Sequence, residues 1–186
     1  MTSDVQLGRG VVLRALTIDD SAALADAYRD NRDHLAPWDP ARSEDFFTPA
    51  SQESEIERLL SDQEAGTAVP LVLSDASRIV GRLTLSGIVR SAYESANLGY
   101  WIDGRYAGRG LMTAAARAVV EIARDELGLH RIQAATLLHN VASQTVLKRC
   151  GFIEFGMAPE YLRIAGEWQD HRLFQLILTP HPVSPR

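Results

Sequence analysis

The chain has 186 residues, of which 46% are hydrophobic and 23% charged, and its formal net charge is -5. This composition is typical of one soluble domain. The acidic balance argues against a nucleic-acid partner, because binding to a phosphate backbone depends on basic residues. Cys150 is the only cysteine, which excludes an intrachain disulfide and a cysteine zinc cluster.

The sequence shows neither the roughly 20 consecutive apolar residues of a membrane span nor a secretory signal. We therefore expect a cytoplasmic protein without a membrane partner.

The first half of the chain predicts two helices and four strands. Thr17 with Asp20 three residues later is typical of a helix start, and so is the pair Thr48-Pro49. Gly66 supplies a stop for the second helix. The predicted strands are Val11–Leu16, Val69–Leu73, Ile79–Leu85 and Asn97–Ile102, the helices are Asp19–Asn31 and Pro49–Ala65, and a proline-bearing loop occupies Asn31–Arg42.

The second half predicts a long alanine-rich helix followed by alternating strands and helices. The helices are Gly110–Leu127 and Ala142–Arg149, and the strands are Arg131–Leu137, Phe152–Phe155 and Trp168–Leu178. This order predicts an α+β fold, an α/β sandwich in which a mixed, mostly antiparallel sheet carries helices on both faces. No linker divides the chain, so we expect a single domain over 1–186, with a core at 11–178 and a tail at 179–186.

The densest motif joins the end of a strand at Ile102 to the start of the long helix. The first amides of a helix have no internal partner and form a ready anion site. Gly108 and Gly110 let the backbone approach a phosphate without an intervening side chain, and Arg105 and Arg109 add positive charge. The turn 105–110 is therefore a candidate phosphate site, although any helix can begin after a glycine-rich turn.

Three nucleotide motifs can be compared with this turn. A Walker A loop is excluded, because the chain has no Gly-Lys-Ser/Thr tripeptide. A dinucleotide fingerprint fails, because Thr113 stands where its third glycine belongs. The remaining pattern, Arg/Gln-x-x-Gly-x-Gly/Ala, is matched by Arg105, Gly108 and Gly110. In this pattern the chain resembles the pyrophosphate loop of the GNAT acyltransferase superfamily.

The resemblance extends over most of the chain, from Val11 to Leu178. The segment from Asn140 to Ser143, followed by Gly151-Phe152, is similar to the second cofactor-binding segment of these enzymes. The hairpin 160–171 and the loop 31–40 resemble the RimJ/RimL branch, which acetylates ribosomal proteins. The loop is similar to the RimJ type, which acts on an N-terminal alanine.

The resemblance implies a sheet with a central V-shaped splay near Asp103, acetyl-CoA as cosubstrate and no metal. His34, Leu35 and Trp38 would line the acceptor pocket, although a loop tryptophan also serves as a simple anchor. A monomer and a homodimer both stay open. The implied cofactor-binding residues are Tyr100, Trp101, Ile102, Arg105, Tyr106, Ala107, Gly108, Arg109, Gly110, Leu111, Met112, Asn140 and Ser143.

Acetyl transfer to an amine requires a neutral amine and a proton for the leaving thiolate. Ser143, one helical turn after Asn140, is the candidate proton donor, and a serine that stabilises the first turn of a helix is the alternative. Glu160 aligns with a carboxylate in the closing hairpin of the resembling enzymes and is the candidate base; a solvated loop glutamate is the alternative. Glu94 is a second candidate base. Many relatives carry an acid nearer the following strand, where this chain has Asn97.

The sequence leaves three functions open. The first is acetylation of a protein N-terminus, such as a ribosomal protein that begins with alanine, by direct attack in a ternary complex. The second is acetylation of a small amine such as an antibiotic, a polyamine or an amino acid. The third is a sensor that binds acetyl-CoA without turnover. Cys150, at a helix end, fits a buried small residue better than an acyl-carrying nucleophile, and the five histidines show no metal-ligand spacing.

Overall fold

The computed structural model describes residues 3–178, so the predicted tail at 179–186 lies outside the described residues. No helix in this part is long and apolar enough to cross a membrane. The strands are β1 Val5–Gly8, β2 Val11–Ala15, β3 Ala68–Asp75, β4 Arg78–Val89, β5 Ser95–Ile102, β6 Arg131–Leu137, β7 Ile153–Ile164 and β8 Glu167–Ile177; the α-helices are α1 Ser21–Asp30, α2 Arg32–Leu35, α3 Pro49–Glu64, α4 Leu111–Glu121 and α5 Val141–Arg149.

The eight strands form one sheet in the order β1-β2-β3-β4-β5-β6-β8-β7. All neighbours are antiparallel except β5 and β6, which are parallel and pair only where residues 95–97 lie beside residues 131–133. Beyond these residues the two strands separate toward their carboxyl ends. The mixed, mostly antiparallel sheet with a central V-shaped splay is therefore confirmed.

Helices cover both faces of the sheet, as the element order predicts. On the α4 face, α4 and α5 pack with Leu98, Ala134 and Phe174 in one apolar cluster. On the α1 face, α1 and α3 form a second cluster, against which Trp101 packs. Because side chains alternate along a strand, successive residues of β5, β6 and β8 point to opposite faces.

Several predicted boundaries are wrong near the first helix. Strand β1 was not predicted. The helix begins at Ser21 rather than Asp19, because a 3₁₀ turn precedes it. The Asp20 carboxylate accepts hydrogen bonds from the Thr17 amide and from both terminal nitrogens of Arg14.

Two other segments differ from the prediction in detail. The predicted loop 31–42 contains α2, and the long predicted helix is α4 followed by a π-helical turn at Ile122–Glu126.

The largest error concerns β7, which was predicted as Phe152–Phe155 and runs to Ile164. Gly156 and Pro159 suggest a break in a strand pattern. However, β7 is the edge of the sheet, where a proline costs no ladder hydrogen bond. Two register shifts, one before Gly156 and one between Ala158 and Leu162, let the strand continue along β8.

Candidate active site

A cavity of about 720 Å³ opens where β5 and β6 separate. Its walls come from these two strands, the turn after β5, the first turns of α4 and α5, the loop after α2, and β7 and β8. Tyr100 and Trp101, neighbours that point to opposite faces, both line it, so the cavity passes through the sheet. The predicted residues in its lining are Tyr100, Trp101, Ile102, Tyr106, Ala107, Gly108, Arg109, Gly110, Leu111, Met112, Asn140 and Ser143 for the cofactor, and His34, Leu35 and Trp38 for the acceptor.

The turn before α4 is built to expose backbone amides. Gly108 and Gly110 have φ of 73° and 79°, a conformation that glycine adopts readily and other residues rarely do. Gly110 is the N-cap of α4 and contributes no side chain to the amides that follow. A Cβ added at Gly108 or Gly110 would meet no atom within 4 Å. The cradle is therefore open, and its donors and helix dipole favour an anion.

Positive side chains stand beside this cradle, but Arg105 is not one of them. Arg109 lines the cavity with its guanidinium 5.2 Å from the ring of Tyr106, and Arg149 lines it from the end of α5. From its place in the motif, Arg105 was expected to add positive charge at the phosphate site. The structure instead turns its guanidinium to Asp103 at 2.5 Å and Asp30 at 3.1 Å, away from the cavity lining. Arg105 thus stabilises the turn.

Asp103 is a buried residue that holds the turn in place. It is 0% exposed, and it accepts hydrogen bonds from the Arg105 amide at 2.7 Å and from Asn31 Nδ2 at 3.0 Å. Asn31 is 3% exposed, and its Oδ1 accepts from the Gly104 amide at 3.0 Å. Burial alone would raise the pKa of Asp103, but the hydrogen bonds from Arg105 and Asn31 outweigh it and bring the pKa to about 2. The turn is therefore tied to the end of α1.

Helix α2, which contains the predicted acceptor residues His34 and Leu35, also contacts this turn. His34 Nε2 lies 3.2 Å from the carbonyl oxygen of Ile102; because a carbonyl only accepts, Nε2 carries the proton. A Cβ at Gly104 would lie 3.3 Å from the His34 ring, so only glycine fits there without movement. His34 was predicted for the acceptor, and its hydrogen bond joins α2 to the end of β5.

Ser143 lies in the first turn of α5 and is held by two residues. Asn140 caps the helix, its Oδ1 accepting from the Ser143 amide at 3.0 Å. The hydroxyl of Tyr100 lies 2.8 Å from Ser143 Oγ and donates to the Ser143 carbonyl at 3.2 Å. Burial raises the pKa of Tyr100, so the phenol stays protonated. Two hydroxyls therefore lie side by side in the cavity lining, an arrangement that sequence spacing alone did not reveal.

Thr136 supplies an unassigned hydrogen-bonding group in the same cavity. It is 4% exposed and lines the cavity from β6. Its Oγ1 has no hydrogen-bond partner among the described residues. A buried hydroxyl left unpaired is costly, so this atom fits a polar group of a bound ligand.

The loop after α2, which contains the predicted acceptor residue Trp38, forms one end of the cavity. The Trp38 ring lies 5.4 Å from the ring of His139, and the Asp39 carbonyl accepts from the Ala165 amide at 3.0 Å. These contacts join the loop to the turn before α5 and to the β7–β8 turn. Burial raises the pKa of Asp39, against the opposing effect of Arg42 and Arg82.

The two candidate bases lie outside the cavity lining. Glu160 is exposed in the second register shift of β7, where its amide donates to Asp170 Oδ1 at 2.9 Å. Glu94 is exposed and precedes β5, where β5 and β6 are still paired and the sheet is closed. Cys150 is half-buried with Sγ 3.6 Å from the Thr113 carbonyl, and burial raises the pKa of its thiol.

Comparison with known sequences points to acetyl transfer. The family model described as "Acetyltransferase (GNAT) domain" matches residues 11–153. The chain is 33% identical over 174 residues to the probable N-acetyltransferase YjcK of Bacillus subtilis, covering 91% of this chain and 95% of that relative. It is 34% identical over 168 residues to the [ribosomal protein uS5]-alanine N-acetyltransferase of Escherichia coli, covering 89% and 87%.

Solved structures agree with the sequence matches. The ribosomal-protein-S5-alanine acetyltransferase of Vibrio fischeri superposes with a TM-score of 0.91 at 31% identity, covering 99% of this chain and 100% of that one. RimJ of Mycobacterium smegmatis, solved in complex with CoA-disulfide, superposes with a TM-score of 0.86 at 31% identity, covering 94% and 85%.

Proposed function

This chain belongs to the GNAT acetyltransferase family, and on that premise we propose that it transfers the acetyl group of acetyl-CoA to the N-terminal amine of a protein that begins with alanine. The observation that carries the proposal is the cavity through the splayed sheet. One end has the amide cradle before α4, which suits a pyrophosphate, and the other end is the acceptor pocket at Trp38.

The cofactor assignment is supported by the fit between donors and ligand. Acetyl-CoA carries linked phosphates at one end and amides along its arm. The cradle at Gly108 and Gly110 offers main-chain donors to the phosphates, while Thr136 Oγ1 and the Nδ2 of Asn140 can hydrogen-bond the arm. The thioester would then lie near the Tyr100–Ser143 pair.

The acceptor assignment rests on the shape of the passage through the sheet. Gly99 of β5 and Ala135 of β6 both line the cavity from the α1 face, and a Cβ at Gly99 would meet no atom within 4 Å. These small residues leave room for an extended chain to bring its terminal amine through the gap. The named activity of the Escherichia coli relative, acetylation of an N-terminal alanine, supports a peptide acceptor.

Direct transfer needs no nucleophile from the protein. The amine nitrogen attacks the thioester carbon, a nitrogen–carbon bond forms, and the carbon–sulfur bond breaks with its electron pair on sulfur. Positioning of the two substrates supplies much of the rate. The Tyr100–Ser143 pair donates a hydrogen bond to the leaving sulfur, whose negative charge grows in the transition state.

The test is steady-state release of coenzyme A with different acceptors. We expect a peptide that begins with alanine to be acetylated with a kcat/KM at least about 10²-fold above that of spermidine or free lysine, because the pocket is shaped for an extended chain. The same peptide with a blocked N-terminus is the control. Mass spectrometry of the product should place the acetyl group on the α-amine.

The alternatives give different results in the same assay. Faster turnover of spermidine or another small amine would replace the peptide acceptor with a small molecule. Absence of turnover with every acceptor, while acetyl-CoA still binds in calorimetry, would make the chain a sensor.

Replacement of Ser143 tests the proton donor. We expect Ser143→Ala to lower kcat roughly 10- to 100-fold while the KM for acetyl-CoA changes little, because the hydroxyl acts on a sulfur that becomes charged only in the transition state. Initial rates over both substrate concentrations measure the two constants. A raised KM with an unchanged kcat would leave Ser143 only the structural role of a first-turn serine.

A further inference from the structure

The acceptor side of the cavity contains a buried histidine that no step above uses. His171 of β8 is 3% exposed and lines the cavity. Its Nδ1 lies 2.9 Å from the carbonyl oxygen of Gln169. Because a carbonyl has no proton to give, Nδ1 carries the proton, and Nε2 of the neutral ring has a free lone pair.

The sheet register places His171 on the face opposite Thr136 and Tyr100, beside which we place the cofactor arm. His171 pairs with Leu137 of β6, directly after Thr136. Strand alternation puts Phe174, which belongs to the α4-face cluster, and His171 on opposite faces, so His171 lies on the α1 face with Trp101. Thr136 and Tyr100 point to the α4 face. The cofactor arm and His171 therefore approach the splay from opposite sides of the sheet.

Nε2 is the available atom of this ring. It has no hydrogen-bond partner in the described part of the chain. It is also not among the fully buried atoms that lack a partner there, so it is exposed to the cavity.

The charged or titratable groups around the His171 ring are Tyr161, whose ring lies 5.6 Å away, and Asp39 and Arg163 in the cavity lining. Arg163 Nε donates to the Gly166 carbonyl. The neighbours of His171 in β8 have other partners: the Asp170 carboxylate accepts from the Glu160 amide, and Arg172 pairs with Glu154.

We propose that His171 is the general base of the reaction and takes a proton from the acceptor ammonium through Nε2. The proposal rests on the acetyltransferase function argued above and names the group that its chemistry still lacks. The ammonium loses one proton to Nε2, which passes it to solvent. The neutral amine then attacks, and as the carbon–sulfur bond breaks the Tyr100–Ser143 pair gives a proton to the sulfur and regains one when the amine nitrogen loses its second proton. Both protons are thereby accounted for.

The test uses His171→Asn, because the asparagine amide can keep the bond to the Gln169 carbonyl while Nε2 is lost. We expect kcat to fall roughly 10²- to 10⁴-fold, with unchanged affinity for coenzyme A in calorimetry. His171→Gln is the second variant. Gln175→Ala, on the same strand and face but outside the cavity lining, is the matched control and should retain wild-type rates.

The pH profile separates a base from a structural histidine. An α-amine has a pKa of about 7.7–8.0. We expect the wild type to stay active below that range, because the enzyme itself removes the proton. In His171→Asn, kcat/KM should follow the fraction of neutral amine and recover as pH rises. A structural role would lower activity or coenzyme A affinity at every pH without this change in profile.

The outcomes separate this proposal from the acceptor assignment. The profile is measured with whichever amine the wild type acetylates, so a preference for a small amine overturns only the peptide acceptor. A His171→Asn variant within threefold of the wild-type kcat and with the wild-type profile overturns the base. The assignment of the base to His171 is also overturned if kcat/KM follows the fraction of neutral amine in the Asp39→Asn variant but not in the His171 variants. Lack of turnover with all amines overturns both proposals.

Discussion

Gly108→Glu should abolish the binding of coenzyme A, with an affinity loss of more than about 10²-fold. Gly108 has a φ of 73° and faces open space, where we place the pyrophosphate. A glutamate there fills the cradle and sets a negative charge against phosphates, a repulsion of several kcal/mol at the short distances of a partly buried site. Isothermal titration calorimetry with coenzyme A measures the loss.

The Gly108→Ala variant shows how much of the affinity loss in Gly108→Glu comes from backbone strain and how much from the charge and size of the glutamate. A Cβ at this position meets no atom, so alanine adds the cost of a left-handed conformation, about 1 kcal/mol, but little obstruction. We expect a slightly lower Tm and coenzyme A affinity within roughly tenfold of the wild type. If Gly108→Glu bound coenzyme A as well as Gly108→Ala does, the cofactor would lie elsewhere in the cavity.

The open turn before α4, where we propose that the pyrophosphate binds, could be predicted from sequence because its geometry is local. The end of β5, the two glycines at 108 and 110 and the start of α4 lie within a dozen residues, and the donors belong to the backbone, whose geometry depends little on distant partners. Asn140 also acts locally, because it caps α5 through the amide of Ser143 three residues later, but the sequence suggested this capping role for Ser143.

The role of Arg105 could not be predicted in this way. Its motif suggests a phosphate ligand, but Asp30, a partner 75 residues earlier in the chain, turns the guanidinium away from the cavity. Asn31 and Asp103, 72 residues apart, were missed for the same reason. The one local signal was Asp103 before a glycine, which is typical of a turn in which the carboxylate accepts from a following amide.

His171, the base that we propose, was not singled out in the sequence because the pairing of β7 with β8 is irregular. Two register shifts in β7 move Glu160 to an exposed position with φ of 46°, although its place in the hairpin suggested the active site. His171 is a single histidine in a strand, which by itself more often indicates a packed residue. Only the pairing of β8 with β6 brings it to the splay.

Asp103→Asn should destabilise the protein by roughly 2 kcal/mol at pH 7, because the pKa of Asp103 in the folded protein is about 2 against an unfolded value near 4. For this chain length, the Tm should fall by about 4–8 °C. A carboxyl with a lowered pKa stabilises the fold above the unfolded pKa and loses that contribution as pH falls through the folded pKa. The difference between wild type and variant should therefore be full at pH 7 and shrink between about pH 5 and pH 2.

Asp30→Asn is the matched control for this experiment, because Asp30 pairs with the same Arg105 guanidinium but its side chain is 47% exposed. Exposed ion pairs contribute little in water, so this variant should lose less than about 1 kcal/mol. Urea unfolding at pH 7 and pH 3 measures both variants. A difference between Asp103→Asn and wild type that stays constant with pH would mean that the charge of Asp103 is not what holds the turn. In that case the turn would be held to α1 by the hydrogen bonds that Asn31 and the Arg105 amide donate to residue 103, whatever its charge.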